Sequence, residues 1–446
     1  MSIIIENNPV YSKISNPSVI KGLLSFEKTF WRKENFRKTP TKYLKTVVER
    51  DGVFLTGFIP KIISSSVVID HVERMNYEIE PTQPSLKGIV LRDDQKAQIQ
   101  SALEKKRGVI LAPTGTGKTI LMAGILSSFP NRKSLLLCHT IDLVDQAIAE
   151  FRKFDFKVSK FSSKEKDLSG DVVVSTIQSF AKLDANIYCD LFDIVICDEC
   201  HHIAKFPDKS KGGLFYKVLS KLLAPIRYAV TATYPSDKEV ALCLEGLIGP
   251  VISELSFSKA VEMDLLAVPT IELVPVEAFT SYEVRTYADV YSEAIVNNEQ
   301  RNRQIIKTIK KLNRQGLTTV TYVQQIEHIR LLLNLAEQSG VSLYDVQGNV
   351  KGEDRLSIKE KLDKKEIMNV VATVVWREGI NIKSLNCIII AGGGKNEKDL
   401  IQACGRGARK DEGKDTFVIV DFIDSAKYLS QHFCERLKIY SKKGWL

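Results

Sequence analysis

Several features that would place a chain in a special class are missing from these 446 residues. No apolar run approaches the roughly 20 residues that cross a bilayer, and the polar start at Glu6, Asn7 and Asn8 is unlike a secretory signal. Internal repeats and low-complexity tracts are also missing. The eight cysteines are scattered, several within apolar stretches, which favours reduced thiols in a cytoplasm over a disulfide framework. We therefore expect a cytoplasmic protein without a membrane partner.

What the chain does contain is an ordinary globular composition with an excess of positive charge. Hydrophobic residues make up 44% and charged residues 26% of the sequence, and the formal net charge is +9. A basic chain favours a polyanionic partner, although charge alone does not distinguish nucleic acid from an acidic membrane surface, and many basic proteins bind neither. The length suggests about three domains.

Residues 1–85 differ in character from the rest of the chain. Aromatic and basic side chains are interleaved from Phe30 to Tyr43, a composition that suits phosphate contacts combined with base stacking. The same residues also fit a small α/β domain whose aromatics form the core and whose cations are solvated, and so short a run does not decide between the two. Strand character is expected at Gly52–Pro60 and Ser66–Asp70. A linker is expected to follow, marked by Pro81, Pro84 and Gly88.

Beyond the linker, short apolar runs alternate with amphipathic helical sequence in two consecutive blocks. This alternation is the pattern of doubly wound parallel sheets, in which ligands bind at the carboxyl ends of the strands. The first block, residues 86–265, has predicted strands at Ser134–Cys138, Val172–Ser175, Ile194–Cys197 and Tyr228–Thr231. The second block, residues 266–446, has predicted strands at Thr318–Tyr322, Asn369–Ala372, Cys387–Ala391 and Thr416–Val420. The sequence thus predicts two tandem α/β domains after a small α/β N-terminal one.

The most specific motif runs from Gly108 to Leu126, where an apolar strand, a glycine-rich turn and an apolar helix follow one another. A phosphate-binding loop requires this context, and here Ala112 replaces its first glycine. Lys118 would reach the β- and γ-phosphates of a nucleotide, and the Thr119 hydroxyl would complete the shell of a bound Mg²⁺. The backbone N–H groups that would hold the polyphosphate belong to Thr114, Gly115, Thr116 and Gly117. We predict that the chain binds a nucleoside triphosphate.

Two carboxylates, Asp198 and Glu199, follow the predicted strand Ile194–Cys197 in the Walker B arrangement. Asp198 would hold Mg²⁺ opposite Thr119, and Glu199 would orient or deprotonate the attacking water. The neighbouring run Cys197, Cys200, His201 and His202 also admits a zinc or redox interpretation. Zinc would compete there with the nucleotide metal and has no second ligand pair nearby, so we expect Cys197 to be strand core.

Asp198-Glu199-Cys200-His201 and the phosphate loop together resemble the superfamily 2 helicases and translocases, whose other motifs occur here in the family's order. Leu91–Gln95 resembles the family's Leu-Arg-x-x-Gln element, which implies that Gln95 pairs with the adenine of ATP; taken alone, Gln95 would be an ordinary polar residue at a helix start. The resemblance implies two RecA-like domains. Three weaker matches to motifs that touch nucleic acid or link it to the ATP site are Leu135–Gln146, Ser175–Phe180 and Thr231–Thr233.

In the second domain, Thr318–Val323 resembles motif IV. Gly379–Asn381 resembles motif V, which implies that Gly379 contributes to nucleotide binding; Asn381 stands where the family usually has an acid. Gln402–Arg409 matches motif VI. The match implies that Gln402 belongs to the catalytic machinery and that Arg406 and Arg409 act as arginine fingers, although their i, i+3 spacing places them on one side of a helix whatever their role. Gly392–Asn396 lacks the ending of a phosphate loop and predicts a glycine turn, whose backbone could contact phosphates.

The resemblance implies an enzyme that hydrolyses ATP with Mg²⁺ and moves on nucleic acid. The Asp-Glu-Cys-His tetrad and the lack of an aromatic element before Gln95 favour DNA over RNA. The compact size with a basic N-terminal domain resembles phage branch-migration helicases of the UvsW type. That likeness implies forks and Holliday junctions as substrates, roles in recombination, repair and replication, and a host cytoplasm if the chain is phage-encoded. The alternatives are a double-strand DNA translocase without strand separation, an RNA helicase and, last, a non-catalytic nucleic-acid-binding scaffold.

Overall fold

The computed structural model describes residues 2–34, 37–200, 206, 213–277, 286–347, 352–373, 382, 384–394 and 416–446. It divides into two compact units, one of residues 1–112 and 118–255 and one of residues 113–117 and 256–446. None of the helices in these described ranges is both long and apolar enough to cross a bilayer. The predicted class, two parallel-sheet α/β domains with a small N-terminal α/β region, is confirmed.

The N-terminal region consists of a small mixed sheet and a long hairpin. Its strands are β1 (Ile3–Glu6), β2 (Tyr11–Ile14), β3 (Ser25–Glu34), β4 (Arg37–Thr46), β5 (Val53–Leu55) and β6 (His71–Glu73). The sheet has the order β5-β2-β1-β6, and β3 pairs with β4 in an antiparallel ribbon. Its short helices are α1 (Ser18–Lys21) and α2 (Ile59–Ile63), and a 3-10 turn spans Thr56–Phe58.

Both strand predictions in this region need correction. Within Gly52–Pro60 only Val53–Leu55 is a strand, because Pro60 occupies the first turn of α2, where its fixed φ and missing N–H favour a helix start. Ser66–Asp70 contains no strand, and β6 begins only at His71.

The N-terminal region packs against the sheet of the first unit rather than forming a separate core. Gly57 lies so close to the carbonyl oxygens of Glu245 and Gly246 that a Cβ at this position would overlap them. Arg107 Nη1 donates a hydrogen bond to Pro9 O at 3.2 Å, and Lys61 Nζ lies 2.6 Å from Glu245 Oε2. A single hydrophobic cluster joins the N-terminal side chains to one face of the sheet.

The sheet of the first unit has seven parallel strands in the order β13-β7-β12-β11-β8-β10-β9. They are β7 (Arg107–Leu111), β8 (Ser134–Cys138), β9 (Val158–Phe161), β10 (Val172–Thr176), β11 (Ile194–Asp198), β12 (Ile226–Thr231) and β13 (Val251–Glu254). The associated helices are α3 (Asp93–Lys105), α4 (Lys118–Ser127), α5 (Ile141–Lys153), α6 (Ile177–Phe180), α7 (Ala185–Tyr188), α8 (Leu214–Leu219) and α9 (Lys238–Leu247). Because both faces are covered, the central strands are continuously apolar. Each of the four predicted strands is present, with ends shifted by at most two residues.

The second unit has a six-stranded parallel sheet in the order β14-β19-β18-β15-β17-β16. Its strands are β14 (Val268–Pro275), β15 (Thr319–Tyr322), β16 (Tyr344–Val346), β17 (Asn369–Ala372), β18 (Cys387–Ile390) and β19 (Thr416–Ile423). Its helices are α10 (Phe257–Glu262), α11 (Tyr287–Tyr291), α12 (Glu299–Arg314), α13 (Ile326–Gln338), α14 (Gly352–Asp363) and α15 (Leu429–Lys442), with a π-helical turn at Ser292–Val296. The four strands predicted here are also present.

Candidate active site

The predicted phosphate loop has the strand–turn–helix geometry that the sequence requires. β7 ends at Leu111 and α4 begins at Lys118. Gly115 and Gly117 have φ angles of 95° and 89°, in the left-handed region that residues with a Cβ avoid. Thr116 closes the turn, since its N and Oγ1 both donate to Pro113 O, at 3.3 and 2.8 Å. The two glycines are therefore required by the backbone of the loop itself.

The two acids lie at the carboxyl end of β11, which is separated from β7 by β12 in the sheet. β11 ends at Asp198, and Glu199 follows with a φ of 51°, a strained value for a residue with a side chain. The Glu199 N–H donates to Asp198 Oδ1 and to Val230 O, each at 2.9 Å. These two bonds hold the turn after β11 and fix the direction in which Glu199 leaves the strand.

Lys118 and Glu199 form an ion pair between Nζ and Oε1. Their side chains are only 11% and 15% exposed, so water screens this pair far less than it screens a surface pair. The sequence assigns Lys118 to the phosphates and Glu199 to the attacking water, and the structure brings the two side chains together. This contact is one that the sequence motifs do not reveal.

Asp198 is buried at the same edge. The pKa of its carboxyl is raised to about 6, chiefly by burial and also by the negative charge of Glu199, while the positive charge of Lys118 acts in the opposite direction. A divalent cation would favour the ionised form. Carboxylate and hydroxyl oxygens are the donors that Mg²⁺ prefers, so Asp198 and Thr119 fit such an ion.

Backbone hydrogen bonds connect the loop, the acids and the Thr231–Thr233 segment. Ala112 N donates to Thr231 O at 2.9 Å, and Thr231 Oγ1 donates to Thr233 O at 3.2 Å. The register pairs Leu111 with Thr231 and Asp198 with Val230, which places all three segments at the carboxyl edge of the sheet. A displacement of one of these three segments would therefore strain or shift the other two.

Gln95 has both a structural contact and a free donor. It is 2% exposed in the first turn of α3, where its Oε1 accepts from Arg92 N at 3.2 Å. Its Nε2 is buried and has no hydrogen-bond partner among the described residues. A buried donor without a partner costs about 1–3 kcal/mol, and an adenine acceptor would satisfy it. The ordinary role at a helix start and the predicted adenine contact are thus compatible.

The other first-unit motifs supply helix caps at the same edge. Thr140 Oγ1 accepts from Leu143 N at 3.4 Å, and Thr176 Oγ1 accepts from Ser179 N at 3.2 Å. Cys197 is fully buried in β11, which confirms its predicted place in the strand core, and burial raises its thiol pKa to about 12. Within the described ranges no group of His, Cys, Asp and Glu could hold a metal on its own. His201 and His202 lie outside these ranges.

In the second unit, the predicted glycine turn follows β18, and neighbouring side chains donate hydrogen bonds to its backbone carbonyl oxygens. Arg301 Nη1 donates to Ala391 O at 2.8 Å, and Tyr291 Oη donates to Gly392 O at 2.9 Å. Arg436 Nη1 donates to Gly394 O at 2.5 Å. Both arginines are buried and paired with acids that belong to no sequence motif, Asp424 for Arg301 and Asp421 for Arg436. Residues Gly379, Asn381, Gln402, Arg406 and Arg409 lie outside the described residues.

Taken together, the geometry defines a nucleotide-binding α/β motor domain followed by a second α/β domain. The model of the type III restriction enzyme res subunit matches residues 88–236, and that of the helicase conserved C-terminal domain matches residues 300–411. Two separate stretches of the chain thus resemble domains of the helicases and translocases of superfamily 2.

Its relatives are similar at a moderate level. A Saccharomyces cerevisiae protein named as the ATP-dependent helicase IRC3 is 26% identical over 364 residues, which are 76% of this chain and 52% of that protein. The ATP-dependent DNA helicase UvsW of phage T4 is 24% identical over 381 residues, 78% of this chain and 74% of that protein. The chain therefore spans about half the length of the first relative and three quarters of the second.

A solved structure supports the fold. The type ISP restriction-modification enzyme LlaBIII bound to DNA superposes with a TM-score of 0.61 at 16% identity, covering 87% of this chain and 32% of that one.

Proposed function

We propose that this chain is an ATP-dependent DNA helicase that translocates on branched DNA, such as forks and Holliday junctions, and remodels it. The processes it would serve are recombination, repair and replication, in the cytoplasm of a host cell. The observation that carries the proposal is the assembly of Lys118, Asp198 and Glu199 at one sheet edge beside a glycine loop with two positive φ angles.

The chemistry follows from the groups at this edge. Lys118 neutralises charge on the β- and γ-phosphates, and loop N–H groups hold their oxygens. Asp198 and Thr119 would hold Mg²⁺, which would supply charge neutralisation. Glu199 takes the proton of the attacking water. Because Lys118 and Glu199 form an ion pair, phosphate binding to Lys118 would compete with this pair and release the carboxylate for this role.

Further residues would recognise the adenine base of ATP and complete the catalytic site. Gln95 Nε2 would donate to the adenine edge, while its Oε1 keeps the cap on α3. We further propose that Arg406 and Arg409, with Gln402 and Gly379, stabilise charge on the transferring phosphoryl group. This assignment rests on the motif match.

The β3–β4 hairpin supports a DNA-binding role for the N-terminal region. A two-stranded ribbon fits the major groove of a duplex, and ten paired positions extend about 30 Å. Lys28 lies opposite Tyr43 and Thr29 lies opposite Lys42, so basic and aromatic positions recur along the ribbon. Tyr43 is 45% exposed, whereas Phe26 at its base is 2% exposed. The base of the hairpin thus serves the core, whereas Tyr43 is accessible to a partner.

ATP hydrolysis and unwinding on a four-way junction, a fork and an RNA duplex of matched length test the proposal. We expect DNA to stimulate turnover and the junction to be resolved into duplex products. A marked preference for the RNA duplex would contradict it. Lys118→Ala should abolish turnover and leave DNA binding in place; turnover that survives this change would refute the site assignment.

A double-strand DNA translocase is the second candidate, favoured by the match of residues 88–236 to the res subunit of type III restriction enzymes. Such an enzyme moves without separating strands. It would displace a third strand from a triplex in an ATP-dependent manner and would leave forks and junctions intact, so the two assays together separate the candidates.

A further inference from the structure

One face of α12 in the second unit carries a run of cations that the motor motifs do not use. Lys307, Lys310, Lys311 and Arg314 follow at i, i+3, i+4 and i+7, which places them on the same side of the helix. The opposite face is apolar and buried, with Ile305, Ile306, Ile309 and Leu312 in the core. We call these four cations the α12 basic surface.

Among the described residues, a carboxylate pairs with only one of these four cations. Lys311 Nζ pairs with Glu272 Oε1 of β14 at 2.6 Å. Across the described ranges, no carboxylate forms an ion pair with Lys307, Lys310 or Arg314. Like charges at these spacings repel one another and destabilise a helix. The helix dipole favours cations only in the last turn, which Lys307 precedes.

The surface lines two grooves that join along α12. One groove, of about 490 Å³, runs between the helix and the second half of β14. The other, of about 530 Å³, lies at the amino ends of β16 and β17 and includes Tyr344 and Glu366. Lys310 and Arg314 line both grooves, so the cations form one continuous strip.

The spacing and chemistry of the strip indicate the partner. From Lys307 to Arg314 the helix advances about 10 Å, and one DNA strand presents a charge about every 3.4 Å along the duplex axis. Three of the four cations are lysines, which are depleted in protein–protein interfaces, whereas lysine, arginine and tyrosine all contact phosphates. A regularly charged polyanion fits this strip better than a protein does.

We propose that the α12 basic surface binds the phosphodiester backbone of a second duplex arm. Lys310 and Arg314 line the groove at the amino ends of β16 and β17, away from the glycine turn that follows the carboxyl end of β18. A strand bound at the carboxyl edge of this sheet would lie away from Lys310 and Arg314, but another arm of a branched molecule would reach them. This inference rests on the proposed function and names a contact that a branched substrate requires.

The test is a triple variant, Lys307→Gln, Lys310→Gln and Arg314→Gln, which keeps the Lys311–Glu272 pair. Its matched control neutralises three exposed cations in the last turns of two first-unit helices, Lys105→Gln, Arg152→Gln and Lys153→Gln. Affinity for a four-way junction and for single-stranded DNA is measured as a function of salt. For duplex DNA, each lost phosphate contact should reduce the magnitude of the slope of log K against log salt concentration by about 0.9.

For the junction, we expect the magnitude of the slope of log K against log salt concentration to be about two to three smaller in the triple variant. On single-stranded DNA the variant should keep its affinity and its ATP turnover. An unchanged slope on the junction, or an equal loss in the control, would overturn the inference. Binding of polyglutamate that depends on the same residues, without any change on DNA, would also overturn it in favour of an acidic protein partner. If the wild type resolves no junctions but the slope still falls, the proposed function fails while the surface stands.

Discussion

Replacing Glu199 by glutamine should separate two roles that the structure assigns to one carboxylate. In the structure Glu199 pairs with Lys118, and in the proposed reaction it takes a proton from water. Glutamine keeps the shape of the side chain and removes its charge and its basicity. We therefore expect Glu199→Gln to bind ATP more tightly than the wild type and to hydrolyse it more slowly.

The magnitudes follow from the burial of the pair. Both side chains are less than a fifth exposed, at 11% and 15%, so the contact is that of a sheltered charged hydrogen bond. Such a bond contributes about 1.5–3 kcal/mol, which corresponds to about a 10- to 150-fold change in ATP affinity if the nucleotide must break it. Asp198 remains beside Lys118 in the variant and attracts it, so we expect about tenfold. Loss of the general base should lower kcat by about 10²–10⁴-fold.

Equilibrium binding of a fluorescent ATP analogue and steady-state hydrolysis measure the two effects independently. Glu150→Gln serves as the matched control, since it breaks an exposed pair with Lys153 at 2.7 Å and should change neither quantity. Nucleotide binding that is weaker or unchanged in Glu199→Gln would refute the competition between phosphate and carboxylate for Lys118. An unchanged kcat would refute the general-base assignment.

Three further predictions concern the adenine site, the N-terminal packing and a buried histidine. Gln95→Ala should weaken ATP binding and reduce the preference for ATP over other nucleoside triphosphates, which competition binding measures; an unchanged preference would argue against the adenine contact. Gly57→Ala should lower the Tm by forcing a Cβ into the Glu245 carbonyl, at a cost of more than about 1 kcal/mol, whereas Gly22→Ala, with open space around it, should not. Burial lowers the pKa of His328 to about 3. Between pH 6.5 and 3 the unfolded chain binds a proton on this histidine and the folded chain does not, so the free energy of unfolding falls on acidification by at most about 1.4 kcal/mol per pH unit. His328→Gln should therefore weaken the dependence of Tm on pH in this range. An unaltered dependence would contradict the assignment.

The sequence was sufficient for the parallel sheets and the nucleotide motifs because both have short-range signals. A buried parallel strand is a continuous apolar run, and β8 and β17 begin and end at the predicted residues. The phosphate loop is defined by residues within one turn, where glycine alone tolerates the φ angles found at Gly115 and Gly117. Buried parallel strands and the phosphate-loop turn were therefore predictable from the sequence pattern alone.

Long-range packing was not predictable in this way. Val67 and Ile69 suggest a strand by composition, yet both pack against the core without joining a ladder. Arg301, which supports the glycine turn, is separated by 123 residues from its acid, Asp424, and neither residue belongs to a motif. A single sequence contains no signal that pairs such residues.

The structure also gives a physical reason why an ATP site of this kind can act on a distant partner. Ala112 donates to Thr231 O and Glu199 donates to Val230 O, so the loop and the acid are fastened to successive residues of β12. Lys118 and Glu199 then add a charged contact between the same two segments. If phosphate binding breaks the charged contact while the backbone bonds persist, the adjustment falls on the turn at Glu199, whose positive φ is already strained. The segment that continues from this turn includes Phe206, whose ring stacks on Phe26 at the base of the β3–β4 hairpin with centroids 6.3 Å apart. The turn at Glu199 and the residue that packs on the base of the hairpin are thus only seven positions apart in the sequence, and a coupling of ATP binding to the proposed DNA contact of the hairpin would use this connection.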